Sequence, residues 1–194
     1  MKHFPRRSDN GLKKMISVTC FLCIGLLVPV YVHGTATFAD CGGPDKSIDI
    51  KEGSVKPDPI LYPGNVSMTV AMDILKDLPA SGLEMKMDLI KLDPRKMNVP
   101  CLDNIGSCSY DVCELIQNHR SEFCPMFPNP DECGCPMKAG YYSLKNAPVV
   151  LPDFGEIFVK ILKGHYEGNI TFTDKNSNKQ VGCIAITFEI EPSS

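Results

Sequence analysis

Tryptophan is absent from the 194 residues, and histidine is scarce: of four, only His119 and His165 lie beyond residue 34. Neither stands in a recognisable nucleophile motif with serine or cysteine. There is no G-x-S-x-G elbow, no H-E-x-x-H and no glycine-rich phosphate loop. Basic runs are absent outside the first residues and the formal net charge is −3, which leaves no case for nucleic acid. These absences favour binding over catalysis and give no reason to expect a cofactor or a catalytic residue. A carboxylate pair of the glycosidase kind can converge from any two points of a chain. A small secreted hydrolase therefore stays open as a reading, although the chain is short for one.

Cysteine and proline, by contrast, are plentiful, at 10 and 16. Cys101, Cys108, Cys113, Cys124, Cys133 and Cys135 share one stretch with Pro125, Pro128, Pro130, Pro136, Gly106 and Gly134. So many breakers exclude a regular sheet core there. The stretch reads as a cross-linked, irregular knot with one short helix. Tyr110 to His119 carries the helical spacing, with Val112, Leu115, Ile116 and His119 on one face. His119 reads as a packed or solvent-edge residue.

Residues 1–34 read as a signal peptide. Lys2, Arg6, Arg7, Lys13 and Lys14 outweigh Asp9, and an uncharged run from Met15 to Val32 follows. Small residues suited to cleavage occur at Val32-His33-Gly34 and again at Thr37-Phe38-Ala39. The run is also long enough for an uncleaved anchor. Cys20 and Cys23 fall inside it, so their C-x-x-C spacing is no redox site. Removing those five cations and one anion from 20 Lys+Arg and 23 Asp+Glu leaves a mature chain of charge −7. It keeps eight cysteines, the six of the knot with Cys41 and Cys183. An even number behind a signal peptide implies four disulfides, with about 105 pairings open. A metal site is the rival, but Cys133-Gly134-Cys135 is too tight for the usual zinc knuckle.

The rest of the chain alternates. Ile48 and Ile50 share one strand face, and Lys56-Pro57-Asp58-Pro59 ends that strand. Val66, Met68, Val70 and Met72 share the next, opposed by Asn65, Ser67, Thr69 and Ala71. Leu83, Met85, Met87 and Leu89 follow, and the parity flips at Ile90 and Leu92, which suggests a bulge. Gly140 to Leu144 and Ala147 to Leu151 read as two short strands. A closing hairpin turns at 174–179, with Ile170 and Phe172 facing Ile184, Ile186, Phe188 and Ile190. Cys183 falls on the outer face, where a partner must come from outside the sandwich, which suits Cys41. Two sequons, Asn65-Val66-Ser67 and Asn169-Ile170-Thr171, lie on polar faces where a glycan belongs. The sum is an all-β chain, an immunoglobulin-like sandwich or cup of about eight antiparallel strands. Between two of them, Leu151 to Phe158 is too apolar for a solvated loop. Either Ile157, Val159 and Ile161 begin a strand, or Leu151, Phe154, Ile157 and Phe158 form an exposed greasy rim.

Several runs carry a resemblance. Lys56-Pro57-Asp58-Pro59-Ile60, Pro63-Gly64-Asn65-Val66-Ser67, Pro100 to Cys108, Cys133 to Leu144, Val149 to Asp153 and Gly182-Cys183-Ile184 occur in an order similar to that of the ganglioside activators. These belong to the ML lipid-recognition domain family, which also contains the Niemann–Pick type C sterol carrier. The match runs from about Cys41 to Ile190 and makes 35–194 a single domain. The resemblance implies a β-cup around one large apolar lipid cavity, with the cystines Cys41–Cys183, Cys101–Cys108, Cys113–Cys135 and Cys124–Cys133. It implies a non-catalytic carrier in the secretory pathway, lysosomal or extracellular. Such a carrier lifts a glycosphingolipid, phospholipid or sterol during a brief membrane contact and presents it to a glycosidase such as β-hexosaminidase. The alternative is a secreted lipid-sensing module with no enzyme partner. Two departures concern the head-group end: the activators carry mouth-loop tryptophans that are missing here, and Leu78 to Lys96 matches poorly. Met68, Val70, Met72, Met85, Met87, Leu89, Ile184, Ile186 and Phe188 are the expected cavity wall, and flexible methionines suit it. The same stripes would also serve a plain sandwich core.

Protein secreted from eukaryotic cells should carry a glycan at Asn65, and a second at Asn169. Peptide mapping after deglycosylation checks both, and bare Asn65 would mean that its strand face is misassigned.

Overall fold

The computed structural model describes residues 36–102 and 104–193. The expected signal peptide, with Cys20 and Cys23, lies outside them. Two antiparallel sheets face each other. The larger runs β1 (Thr37–Asp40), β10 (Lys179–Pro192), β9 (Gly164–Asp174), β5 (Leu83–Lys91) and β6 (Met97–Asn98) in spatial order. On it, β3 (Ile60–Tyr62) pairs parallel with the end of β10, and β7 (Ser109–Asp111) pairs with β5. The smaller sheet is β2 (Ile48–Lys56), β4 (Gly64–Ile74) and β8 (Gly140–Leu151). The described residues therefore form ten strands rather than about eight, in a β-cup.

The alternating stretches form the strands because one side chain in two meets the other sheet. Val66, Met68, Val70 and Met72 face inward from β4. Leu83, Met85, Met87 and Leu89 do so from β5. The bulges are elsewhere than the apolar pattern suggested. The β5–β9 register runs unbroken from Leu83↔Asp174 to Lys91↔Tyr166. Ile90 thus faces outward on a regular strand, where it pairs with Asn98 of β6. One bulge lies in β2, where the register slips between Ile50 and Glu52, so inward positions change from Ile48 and Ile50 to Gly53 and Val55. Another lies in β8, which is one strand and not two. Lys145 and Asn146 together stand opposite Thr69. Asn146 takes φ +53°, tolerable for asparagine, and its N–H donates to Thr69 Oγ1 at 3.1 Å.

The knot caps one end of the cup. It holds α1 (Val112–Asn118) and α2 (Arg120–Phe123), two helices where one was expected. Asp111 starts α1 by accepting from the N–H groups of Cys113 and Glu114, the usual helix N-cap arrangement. Val112 and Ile116 turn inward, while His119 is exposed. The cystines are Cys41–Cys183, Cys101–Cys108, Cys113–Cys135 and Cys124–Cys133. Cys41 does not come from outside the sandwich. It follows β1, which extends the sheet beside β10 with Asp40 opposite Ile184, and the cystine closes the next pair across that edge.

The Cys41–Cys183 bond spans 142 residues. In the chain-entropy account a loop of that length is worth about 5 kcal/mol. Replacing both cysteines with alanine should lower unfolding free energy by about 3 to 5 kcal/mol in urea titration. A loss below about 1 kcal/mol would show that strand pairing alone secures β1.

Candidate functional site

The inward side chains are not equally covered. At the knot end Leu83, Ile48 and Ile74 are almost fully buried. Midway, Met68 is 36% exposed. Toward the far end Met87, Leu89, Val149 and Phe188 are only half-buried although they face inward. Val66 and Tyr166, at the same end, are nonetheless buried at 7 and 4%, so cover is lost in patches and not along the whole rim. A cavity of about 190 Å³ lies in the knot-side half. Its walls are Ile48 and Ile50 of β2, Met68, Val70, Met72 and Ile74 of β4, Met85 of β5, Ile170 and Phe172 of β9, and Ile184 of β10, with Phe38 at the β1 edge. Its floor is the knot: Val112, Leu115 and Ile116 of α1, Phe123 of α2, and Met126 and Met137.

Of the expected wall, Met68, Val70, Met72, Met85 and Ile184 line this cavity. Met87, Leu89, Ile186 and Phe188 lie beyond it. Ile186 is buried in the core, Leu89 packs against that core, and Phe188 stacks on Tyr166 with ring centres 5.1 Å apart. Sequence pattern missed the floor. Val112, Leu115 and Ile116 were visible as a helix face, but nothing in their spacing says that the face looks into the cup. The wall offers almost no polar atoms, so it can take hydrocarbon and can make few hydrogen bonds to a head group.

The second feature lies at the opposite end. Residues 156–162 do not begin a strand; they form α3 (Glu156–Leu162), with Gly155 before it and Lys163 after it. Phe154, Ile157, Phe158 and Ile161 fall at intervals of three and four, which on a helix is a single stripe. All four are exposed, at 47, 72, 44 and 57%. Phe154 and Phe158 rest on each other with ring centres 5.6 Å apart. Leu151, the fourth expected rim residue, ends β8 opposite Gly64 and is half-buried. Ile161 was missed because the segment satisfies the two-residue and the helical period equally well.

Two buried tyrosines hold this segment. Tyr62 accepts a hydrogen bond from the N–H of Phe154 at 3.1 Å, and Tyr166 donates to the carbonyl of Leu162 at 2.7 Å. Burial pushes the Tyr166 phenol up to about 12, so it remains a donor at any physiological pH. Lys91 Nζ reaches the carbonyl of Ile161 at 2.5 Å, and Lys163 pairs with Glu191 at 2.9 Å. Just beyond α3, His165 stands between carboxylates, Nδ1 on Asp93 at 2.8 Å and Nε2 on Glu189 at 3.2 Å. Both ring nitrogens thus face carboxylates.

Asn65 and Asn169 are both exposed on outward positions, Asn65 opposite Val150 and Asn169 between Asp88 and Ala185. Each sits on an inner strand of its sheet, so a glycan there would stand off the flat outer face, at mid-strand for Asn169 and near the Leu151 end of the cup for Asn65.

A family model described as the ML domain matches residues 35–190. The ganglioside GM2 activator of Macaca fascicularis is 30% identical over 195 residues, spanning 93% of this chain and 99% of that protein. The mouse ganglioside GM2 activator is 29% identical over 160 residues, 77% of this chain and 78% of its own length. A phosphatidylglycerol/phosphatidylinositol transfer protein of Cryptococcus neoformans is 27% identical over 106 residues, about half of each, at 53% and 52%. With most of the length matched by that model, the chain belongs to the ML domain family.

Proposed function

We propose that this protein is a non-catalytic lipid carrier that takes the hydrocarbon of a membrane lipid into the cup and leaves its head group at the rim. The observation that carries the reading is the apolar cavity between the sheets, floored by the knot. Similarity to GM2 activators over nearly the whole chain points to a glycosphingolipid as cargo. It also points to a lysosomal glycosidase of the β-hexosaminidase type as the recipient of the presented head group. Such a carrier would work in the secretory pathway, in lysosomes or outside the cell.

The physics is that of moving a chain between two apolar solvents. A lipid chain crossing water loses about 0.8 kcal/mol for each exposed CH₂. A soluble glycosidase cannot reach a sugar bond held close to the bilayer surface. A carrier that touches the surface removes the water crossing and then lifts the sugar clear. Phe154, Ile157, Phe158 and Ile161 are the contact. Each is already partly covered, so immersion of the remainder contributes about 1 kcal/mol, enough in sum for a reversible contact.

The mature charge of −7 opposes contact with anionic membranes at neutral pH. Asp40, Asp49, Asp77, Asp93 and Asp174 are held below the ordinary carboxylate range, Asp49 at about 2 by hydrogen bonds from Lys46 and Lys51. Relief on acidification therefore comes first from protonation of His165, whose pKa the hydrogen bond to Asp93 raises.

Purified mature protein should carry a chain-bearing lipid, identified by mass spectrometry of an organic extract; repeated preparations without stoichiometric lipid would count against the carrier. Val70→Phe should fill the cavity and weaken lipid uptake about tenfold, the equivalent of 1.4 kcal/mol, with little change in Tm.

Transfer of a fluorescent lipid between anionic vesicles should be faster near pH 5 than near pH 7. Phe154→Ser with Phe158→Ser should slow it several-fold at unchanged Tm. Unfolding of that variant, with normal transfer by the folded remainder, would assign the two rings to structure and not to docking.

A further inference from the structure

The joint between α3 and β9 is built around one imidazole. Asp93, in the turn after β5, uses both carboxylate oxygens on a single residue. Oδ1 accepts the backbone N–H of His165 at 2.9 Å, and Oδ2 meets its Nδ1 at 2.8 Å. Nε2 faces Glu189, the residue directly opposite on β10, whose side chain is 9% exposed. Gly164 makes the approach possible. It takes φ +140°, and a Cβ there would collide with Asp93 Oδ1 and with Lys91. Gly155, at φ +96°, brackets α3 on its other side. A short helix with no buried residue thus stands between two glycines in conformations that other residues avoid.

A neutral imidazole has one N–H donor and one lone pair, whereas an imidazolium has two donors. A ring that meets a carboxylate at each nitrogen is satisfied on both sides only when it is charged. We propose that His165 is a proton-operated clamp on the hinge of the rim helix, closed onto Asp93 and Glu189 in acid and released from Glu189 at neutral pH. Asp93 keeps its contact after deprotonation, because Nδ1 can hold the one remaining proton and the backbone N–H fixes the other oxygen. Glu189 then faces a lone pair, and the hinge at 163–165 loosens.

The surrounding charges agree with this assignment. Glu191 of β10 adds to the negative field but is paired with Lys163. Lys91 of β5 is occupied by the Ile161 carbonyl, and Glu167 of β9 by Lys96. The hydrogen bond to Asp93 raises the His165 pKa, and the same bond lowers that of Asp93. A raised histidine pKa gives a contribution that is complete below about 6.5, the unfolded value, and is lost as pH rises through the folded one. A lowered Asp93 pKa keeps its contribution until pH falls through that lower value. The clamp is thus closed across the mildly acidic range and open above it. It concerns the hinge alone and holds whatever surface α3 touches.

Hydrogen exchange of the full mature chain, corrected for intrinsic rates, tests it at pH 5 and pH 7.5. Peptides covering 156–165 should be protected about fivefold more at pH 5, the scale of one partly exposed ion pair, while the 174–179 turn should not change. His165→Gln should abolish the difference and exchange at the neutral-pH rate under both conditions. Equal protection of wild-type α3 at the two pH values, or a pH difference that survives in folded His165→Gln, would overturn the clamp. In case that variant does not fold, an NMR titration of wild type decides. The Ile157 and Ile161 methyl signals should move with the same midpoint as the His165 ring, and separate midpoints would refute the coupling.

Discussion

A protein that keeps open space between its sheets forgoes the contacts that normally hold a sandwich together, and something outside the core must replace them. Interiors are close-packed because every void loses dispersion contacts and apolar burial. The space of about 190 Å³ between the sheets forfeits such contacts. The cystine between Cys41 and Cys183, 142 residues apart in sequence, is worth about 5 kcal/mol in the chain-entropy account. Cys113–Cys135 and Cys124–Cys133 hold α1, α2 and the turns after them as a plug beneath the sheets. Cys101–Cys108 lies along the edge of β5, between β6 and β7. Two of the four cystines therefore lie where the cup is shut, while Cys101–Cys108 staples the β5 edge beside Met87 and Leu89.

That arrangement separates two tasks along the long axis of the fold. At the knot, side chains come from six strands and two helices, and Ile48, Ile74, Leu83 and Ile116 are almost fully covered. At the far end Met87, Leu89, Val149 and Phe188 lose cover while Val66 and Tyr166 stay buried, and the connection from β8 to β9 becomes α3, whose apolar stripe is exposed among the described residues. Tyr62 and Tyr166 tie the ends of this segment by backbone hydrogen bonds and leave the stripe itself unencumbered. A helix held by its backbone can present its side chains outward, which a helix held by packing cannot do.

The sequence was most legible where one period dominated. β4 alternates without interruption, and its inward face could be read directly from Val66, Met68, Val70 and Met72. The β9–β10 hairpin was equally plain, with its turn at 174–179. Legibility failed where two periods fitted the same residues. Ile157, Val159 and Ile161 alternate like a strand, while Phe154, Ile157, Phe158 and Ile161 recur like a helix, and seven residues are too few to decide. It failed again at bulges, which follow from backbone register and not from apolar pattern. Lys145 and Asn146 looked like a break between two strands because both are polar, yet they are the two-residue side of a bulge opposite Thr69. At the site, alternation assigns a face but not a depth. Met85 and Leu89 sit on one face of β5, and only Met85, nearer the knot, lines the cavity.

The composition of the wall also bears on how a ligand is chosen. Discrimination between lipids requires polar groups that are left unpaired by the wrong head group, and this wall has scarcely any. Methionines at five lining positions, Met68, Met72, Met85, Met126 and Met137, make it more tolerant still, since an unbranched thioether adapts to chains of different length and curvature. Selection among head groups must then occur outside the cavity, where the polar side chains are. Near the rim these are Lys91, Asp93, Lys160, Lys163 and His165, beside an apolar helix. On the proposed reading these residues would stand where the membrane, the exposed part of the cargo and an approaching enzyme come together. A charge change on one of them, the imidazole at the hinge, would then bear on all three contacts at once without touching the hydrocarbon inside.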